Sequence, residues 1–237
     1  MIGEELWVYL RQSPLLWLTV TLVAYMVGYG IYTRSGKQAW ANPLLLSVGI
    51  VIAILLATGT PYDTYFEGAQ FVHFLLGPVT VALAVPLFRN LAQVRQALGP
   101  IVIALVTGSL TAIVSGVGIA WLLDADRQTV LSLAPKSITT PVAMGVAEEI
   151  GGLPSLTAVL VVLTGTLGSV IALPLFRLLR VRDSAAQGFA LGLTAHGIGT
   201  ARAFTVDDLA GSFAGLAMGL NALVTAIFVP LLLPLLS

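Results

Sequence analysis

The sequence lacks cysteine altogether and carries few charges. None of its 237 residues is Cys, and Asp, Glu, Lys and Arg together make up 9% of the chain. The absence of cysteine excludes disulfides, thiolate chemistry and iron–sulfur ligation. Soluble domains carry roughly 25% charged residues, so this composition is not that of a soluble domain. The net charge is zero and no basic cluster occurs, which argues against nucleic acid as a partner.

Hydrophobic residues dominate the composition. They make up 57% of the chain, and the mean hydropathy is +0.98. Several apolar runs exceed the roughly 18 residues that cross a bilayer as a helix, whereas the alternating pattern of membrane β-strands is missing. We therefore predict an all-α, polytopic helical membrane protein. Residues 1–237 are expected to form a single transmembrane domain of about 7–8 membrane segments, two of them broken or re-entrant.

Hydropathy and charge divide the chain into spans and polar connections. Trp and Tyr residues flank the first apolar run, as is typical of membrane interfaces. The acidic stretch 60–70 contains Asp63 and Glu67 but no Lys or Arg, and is expected to be a loop. The predicted spans are residues 15–33, 43–58, 71–88, 101–123, 156–179, 185–204 and 208–236.

Positive residues indicate the topology of these spans, because cytoplasmic loops carry an excess of Lys and Arg. Such residues follow the spans 15–33, 71–88 and 156–179. If residues 127–152 crossed the membrane, the third positive loop would lie on the opposite side from the other two. A segment that enters and returns would place all three on the cytoplasmic face. The pattern therefore favours a re-entrant segment between Pro135 and Pro141, with a full crossing as the alternative.

Short sequence echoes indicate an internal repeat. Residues 78–84 read PVTVALA and residues 141–147 read PVAMGVA, while TGSL at 107–110 is matched by TGTL at 164–167. Both matches occur in the same order, and the re-entrant topology orients the second copy oppositely to the first. We predict an inverted repeat, with residues 71–123 as repeat 1 and residues 134–182 as repeat 2. Inverted repeats with broken helices are typical of secondary transporters.

The stretch 134–150, APKSITTPVAMGVAEEI, forms the first polar interruption. Proline disfavours helix immediately before itself, so a new helix is predicted from Pro141 to Ile150, ending at a Gly-Gly pair. Its N-terminus and the nearby Lys136 would attract an anion. The alternatives are a proline kink satisfied by neighbouring hydroxyls and a lysine that reaches the membrane interface. The predicted substrate-binding residues at this break are Lys136, Ser137, Thr139, Thr140 and Pro141.

The stretch 194–202, TAHGIGTAR, forms the second interruption and contains glycine rather than proline. Glycines allow backbone to approach a ligand closely, and a histidine that titrates near neutral pH suits proton coupling. An arginine can hold a carboxylate with two parallel hydrogen bonds. The alternatives are a packed histidine and an arginine at the interface. The predicted substrate-binding residues here are His196, Gly197, Gly199, Thr200 and Arg202, together with Asn221 of the last span. Asn221 is expected to hydrogen-bond either break, or only a neighbouring helix.

Motifs of hydrolytic enzymes are missing from the sequence. The two histidines, His73 and His196, belong to no HExxH zinc motif, and no G-x-S-x-G elbow occurs. Glu148 and Glu149 would point about 100° apart on a helix, which suits paired acid–base chemistry poorly. For these glutamates, a proton or cation site and an exposed loop stay open. We predict no enzyme activity, no cofactor and no metal site.

Five segments of the sequence resemble the LrgB/CidB family of bacterial membrane proteins. They are LLGPVTVALAVPL (75–87), APKSITTPVAM (134–144), IGGLPSLTAV (150–159), AHGIGTARA (195–203) and GLAMGLNALVTA (215–226). The resemblance covers residues 65–237. Ala195 departs from the family pattern, in which serine precedes the histidine. A hydroxyl at this position is therefore not essential in this chain.

The resemblance implies two kinds of function. Bacterial members of the family are described as modulators of murein hydrolase activity and autolysis that act with a small holin-like partner of the LrgA/CidA type. A plastid relative is a glycolate/glycerate translocator, and bacterial pairs are linked to pyruvate uptake. The family is also expected to lie near the sodium–bile acid symporter fold, which has inverted repeats and crossed broken helices.

The residues and the resemblance together predict a secondary transporter of small monocarboxylates of the glycolate, glycerate or pyruvate type. Coupling to protons or sodium and a multi-pass location in the bacterial cytoplasmic membrane are expected, with the lipid bilayer as environment. Whether the protein forms a homo-oligomer stays open. The alternatives are a regulator of murein hydrolase activity and autolysis that acts with the holin-like partner, and an unselective pore.

Overall fold

The computed structural model describes residues 13–36, 41–75, 78, 81–82 and 84–232, and within these ranges no β-strand occurs. The expectation of an all-α protein is confirmed for this part of the chain. By internal contacts the chain divides into two compact units, Met1–Ala82 and Leu83–Ser237.

The first unit contains three helices, α1 (Pro14–Arg34), α2 (Pro43–Thr58) and α3 (Tyr62–Phe74). Asn42 caps α2, since its Oδ1 accepts from Leu44 N at 2.9 Å. Helix α1 packs closely against α2 and α3 at glycine residues. A Cβ placed on Gly28 would lie 2.7 Å from the Pro43 carbonyl oxygen, and one on Gly68 would collide with the Pro14 carbonyl.

The prediction of a loop over residues 60–70 is wrong, because most of this stretch belongs to α3. Gly68 and Ala69 are buried on one face of the helix, whereas Asp63 and Glu67 are exposed. A helix with one small, buried face tolerates acids on the opposite face, so an acidic composition does not exclude a helix here. The predicted span 71–88 includes the end of α3 and a further helix at residues 84–89, while residues 76, 77, 79, 80 and 83 lie outside the described residues.

The second unit contains eight helices among the described residues. They are α4 (Ala84–Arg89), α5 (Leu91–Gln96), α6 (Leu98–Leu122), α7 (Arg127–Leu133), α8 (Thr140–Glu149), α9 (Pro154–Leu178), α10 (Ser184–Phe204) and α11 (Asp208–Leu232). One of its apolar clusters joins α6, α8, α9 and α11 around the chain between α7 and α8. Ile138 of that connection is fully buried there together with Ile113, Val161 and Val229.

Four of the described helices, α1, α6, α9 and α11, are long and apolar enough to cross a membrane. Helix α1 has 21 residues and the other three have 25 residues each, whereas the apolar α2 is shorter. At 1.5 Å per residue, a helix of 20 residues covers the roughly 30 Å of a hydrocarbon core. The larger total of about 7–8 membrane segments and the inverted repeat stay predictions.

Helices α10 and α11 pack together at small residues. A Cβ on Gly188 would collide with the Ala210 carbonyl oxygen, and one on Gly192 would collide with that of Ala214. These glycines are four residues apart, as are the two alanines, so one small stripe on each helix lets the backbones touch. In lipid, such stripes are a common way to bring helices close. This contact fixes the broken helix α10 against α11.

The segment that contains α7 and α8 begins and ends at nearly the same point, because Leu153 and Thr157 after α8 contact Ser132 near the end of α7. The Leu153 amide donates to Ser132 Oγ at 2.8 Å, and Thr157 Oγ1 donates to the Ser132 carbonyl at 3.0 Å. The residues between Ser132 and Leu153 therefore produce almost no net displacement. With 7 and 10 residues, α7 and α8 reach only about 10 and 15 Å, too short for a bilayer. Neither helix alone is long enough to cross, and the re-entrant topology stays a prediction.

Candidate functional site

The first break lies between α7 and α8. Two turns connect the helices, with Lys136 N donating to the Leu133 carbonyl at 3.1 Å and Ile138 N donating to the Pro135 carbonyl at 3.3 Å. Thr139 stands at the N-cap with φ −63° and ψ 141°, but its side chain makes no capping hydrogen bond. Helix α8 ends at Glu149 and is followed by Gly151 with φ 86°. The helix predicted from Pro141 to Ile150 is confirmed to within one residue at each end.

Lys136 extends from this break onto α6. Its Nζ donates to the Ala112 carbonyl at 2.7 Å, near the middle of that helix. A Cβ on Gly116 would lie 2.6 Å from Nζ and 3.2 Å from Cε, so the glycine leaves room for the lysine stem. The side chain is half-buried and directed at another helix. The lysine is therefore held against a neighbouring helix, and both its predicted anion-binding role and the alternative of a lysine at the membrane interface stay predictions.

The ammonium group of Lys136 has no acidic partner within the described part of the chain. Its one hydrogen bond there is the bond to Ala112, although an ammonium has three donors. Glu148 and Glu149 are exposed at the other end of α8. A charge away from water is costly unless it is paired. The break therefore presents a positive charge that an anion would balance.

The second break is a single residue of α10. His196 has φ 41° and ψ −130°, and the structure is helical on both sides of it. The imidazole is buried, with Nε2 3.0 Å from the Val161 carbonyl on α9. Because a carbonyl only accepts, Nε2 carries a proton and the neutral ring keeps its lone pair on Nδ1. Gly165 makes space for the ring, since a Cβ there would lie 2.6 Å from Nε2.

The two glycines after His196 differ in their surroundings. Neither has a positive φ, so the non-helical geometry lies at the histidine and not at the glycines. A Cβ on Gly199 would collide with the Leu191 carbonyl oxygen, whereas the nearest atom to a Cβ on Gly197 is Met218 Sδ at 3.9 Å. Gly199 is therefore needed for close packing, and Gly197 is not. Their predicted role in approaching a ligand stays a prediction.

Asn221 of α11 contacts both breaks. Its Nδ2 donates to the Leu193 carbonyl at 2.8 Å and to the Ser137 carbonyl at 3.3 Å. Its Oδ1 accepts from Ser109 Oγ at 2.6 Å and from Thr225 Oγ1 at 3.1 Å. The expectation that Asn221 hydrogen-bonds a break is confirmed, and it does so for both at once. Ser137 and Leu193 therefore lie close together, which brings the two breaks to one place.

The other predicted residues surround the junction at Asn221 or lie farther along the same helices. Thr139 and Thr140 are half-buried at the start of α8. Thr200 donates to the His196 carbonyl at 2.9 Å. Arg202 lies near the end of α10, where its Nη1 is 3.4 Å from Thr205 Oγ1. The Lys136 side chain is hydrogen-bonded to α6 and the His196 side chain to α9, and no hydrogen bond joins the two side chains in the described part of the chain. The binding role of all the predicted residues stays a prediction.

Two buried hydroxyl residues, each next to a glycine that faces α10, were not among the predicted site residues. Ser109 holds Asn221, and Thr166 has a buried Oγ1 without a hydrogen-bond partner in the described part of the chain. Both belong to the TGSL and TGTL echo. The preceding glycines face α10, since a Cβ on Gly108 would lie 3.0 Å from Leu193 and one on Gly165 would contact His196. The matching TGSL and TGTL segments therefore indicate these two hydroxyl residues as well as an internal repeat.

Aspartates outside the spans hold helix starts. Asp126 accepts from the Thr129 hydroxyl at 2.6 Å and from the Thr129 amide at 3.0 Å, and these bonds lower the pKa of Asp126. Asp207 accepts from Ser184 Oγ at 2.5 Å and from the Ala210 amide at 2.7 Å, which lowers the pKa of Asp207. A lowered pKa keeps each carboxylate ionised to a lower pH. The contacts therefore contribute fully to the stability of the fold above the ordinary aspartate pKa, and this stabilisation is lost as the pH falls through the lowered pKa.

The long apolar helices and the two breaks define a helical membrane protein with a polar centre in its second unit. The profile of the LrgB-like family matches residues 21–235. This chain therefore belongs to the LrgB family, as its motifs predict.

Named relatives align with almost the whole chain. The uncharacterized protein YwbG of Bacillus subtilis (strain 168) is 36% identical over 216 residues, which cover 91% of this chain and 96% of the relative. Holin-like protein CidB of Staphylococcus epidermidis is 29% identical over 221 residues, or 93% of this chain and 96% of CidB. Antiholin-like protein LrgB of Bacillus mycoides (strain KBAB4) is 26% identical over 223 residues, or 94% of this chain and 97% of LrgB. No solved structure matches this chain.

Proposed function

We propose that the protein belongs to a holin/antiholin-type system of the bacterial cytoplasmic membrane, in which it modulates murein hydrolase activity and autolysis. The observation that carries this proposal is the end-to-end alignment with relatives named holin-like and antiholin-like. A small holin-like protein of the LrgA/CidA type is the proposed partner. No enzymatic step of its own is part of the proposal. The names of the relatives favour this function over carboxylate transport, which they do not mention.

Carboxylate transport is a second candidate, and the geometry of the first break favours it. The observation that carries it is Lys136, whose ammonium lies on α6 without an acidic partner among the described residues. Ionisable groups at membrane depth usually mark substrate or ion pathways. A small monocarboxylate of the glycolate, glycerate or pyruvate type carries one negative charge, which would neutralise this ammonium.

The start of α8 adds to the attraction for an anion. Pro141 lies in its first turn and the Thr139 side chain does not cap it, so the helix presents free amide groups and a partial positive charge. The half-buried hydroxyls of Thr139 and Thr140 are further donors for a carboxylate. Across the junction at Asn221, the unprotonated Nδ1 of His196 is an acceptor suited to a proton that travels with the acid. Sodium coupling is the other option.

Uptake into proteoliposomes tests the transport candidate. Purified protein is expected to take up labelled glycolate or pyruvate in a saturable manner. Lys136→Met should abolish this uptake, and Lys136→Arg should keep part of it, because a positive charge remains. Arg127→Gln is the matched control, since it removes an exposed positive charge at the start of α7 and should leave uptake unchanged. Failure of the wild-type protein to move either acid would overturn the candidate.

Cell lysis separates the two functions. If the protein acts through its holin-like partner alone, Lys136→Met cells should show the same autolysis as wild-type cells. Deletion of the partner should then remove the influence of the protein on autolysis. If autolysis follows from carboxylate and proton flux, Lys136→Met should change autolysis as much as deletion of the whole protein does. Equal amounts of both proteins in the membrane must be confirmed by immunoblotting.

A further inference from the structure

We infer that Asn221 couples the two breaks, and that it acts as a positioning residue and not as a substrate ligand. A side-chain amide has two N–H donors and an oxygen with two lone pairs. In Asn221 all four positions are used, by the carbonyls of Ser137 and Leu193 and by the hydroxyls of Ser109 and Thr225. Nothing is left over with which a substrate could be bound.

The orientation of the Asn221 amide follows from the chemistry of its partners. The carbonyls of Ser137 and Leu193 only accept, so they require the NH₂ group. The hydroxyls of Ser109 and Thr225 donate to the amide oxygen at 2.6 and 3.1 Å. A flipped amide would place its oxygen against two carbonyl oxygens. The side chain is 1% exposed, so water cannot replace a lost partner at low cost.

The two carbonyls bound by Asn221 lack ordinary helical partners. In a continuous helix the Leu193 carbonyl would accept from the amide four residues later, but the non-helical geometry of His196 interrupts the ladder there. Ser137 lies in the turn between α7 and α8, outside both helices. One amide thus supplies a donor to each break. If either break moves, its carbonyl leaves Asn221 and the amide reorients for the other one.

This arrangement makes the first break sensitive to the second. Lys136 precedes Ser137 directly, and His196 follows Leu193 within one helical turn. A change at His196 should therefore alter the exposure of the chain around Lys136, provided that Asn221 is present. For carboxylate transport the inference rests on the proposed function, in which it would link anion binding to a change at the histidine. The coupling itself is measurable without any substrate.

A double-mutant cycle with an alkylation reporter tests the coupling. The chain has no native cysteine, so Thr139→Cys places a single half-buried thiol at the first break. The rate of its reaction with N-ethylmaleimide is measured in membranes, with and without His196→Ala. In the presence of Asn221, His196→Ala is expected to change this rate by about fivefold or more. In an Asn221→Ala background the same substitution should change it by less than about twofold.

Two results would overturn the inference. One is an equal effect of His196→Ala in both backgrounds, and the other is no effect in either. Thr107→Ala is the control background, because this exposed hydroxyl on α6 donates only to the Ile103 carbonyl of its own helix. If Asn221→Ala is not recovered as a monodisperse protein, Ser109→Ala replaces it and should also reduce the effect. A positive cycle without any carboxylate uptake would keep the coupling and reject the transport candidate.

Discussion

The two breaks of the second unit interrupt helices by different means. The first extends over the residues between Leu133 and Thr140 and contains proline and lysine, and it contacts α6 through the flexible end of Lys136. The second is confined to His196, whose backbone is non-helical and whose ring is held by the Val161 carbonyl. The first break can therefore adjust by moving a long side chain, whereas the second depends on fixed backbone contacts. Substitutions should be tolerated unequally at the two places.

The largest effect on stability is expected at the second break, from Gly199→Ala. The added methyl would collide with the Leu191 carbonyl, and backbone cannot move aside as a side chain can. Overpacking of this kind costs about 1–3 kcal/mol or more, which should appear as a clearly lower melting temperature in detergent. Intrinsic tryptophan fluorescence is a suitable probe, because the chain contains four Trp.

Gly197→Ala is the matched control for this prediction. It adds the same methyl two residues earlier, where the nearest atom would be Met218 Sδ at 3.9 Å. Replacement of a helical glycine by alanine gains up to about 1 kcal/mol in helix propensity, so the melting temperature should stay the same or rise. Similar melting temperatures for the two variants would contradict the view that the second break is fixed by backbone contact.

A smaller effect is expected from the backbone conformation of His196. A non-glycine residue in such a sparsely populated region costs about 1–3 kcal/mol, and glycine adopts positive φ readily. His196→Gly loses the ring contact with Val161 but relieves this strain, whereas His196→Ala loses the contact and keeps the strain. His196→Gly should therefore melt at the higher temperature of the two. The opposite order would show that strain at His196 is not what separates the two variants.

The sequence predicted the first break better than the second for a physical reason. Proline removes a backbone donor whatever surrounds it, so the start of α8 followed from Pro141 alone. The conformation of His196 depends on Val161 and Gly165, which are more than 30 residues away in the sequence. Three of the four hydrogen-bond partners of Asn221, in Ser109, Ser137 and Leu193, are likewise distant in the sequence. Local residues indicated that α10 is interrupted, but not which of them takes the non-helical geometry.

The acidic stretch 60–70 illustrates the opposite error. Its composition indicates a loop, but most of it forms helix α3, whose Gly68 packs against α1. The decisive contact lies between Gly68 and the Pro14 carbonyl. No local pattern of charges predicts such a contact, because the acids lie on the face that does not take part in it.

The smallest effect on stability is expected at the first break, from Gly116→Ala. The added methyl would meet Lys136 Nζ at 2.6 Å, but the lysine end can move to other partners. A gain of about 1 kcal/mol in helix propensity also offsets part of a lost charged hydrogen bond of about 1.5–3 kcal/mol. The melting temperature should therefore change little, while the apparent KM for glycolate uptake rises because the ammonium leaves its place. Gly118→Ala is the control, since no atom lies within 4 Å of the added methyl, and it should leave KM unchanged. A loss of stability as large as that of Gly199→Ala would mean that Lys136 is held as rigidly as the backbone at the second break, and the contrast between the two breaks would be wrong.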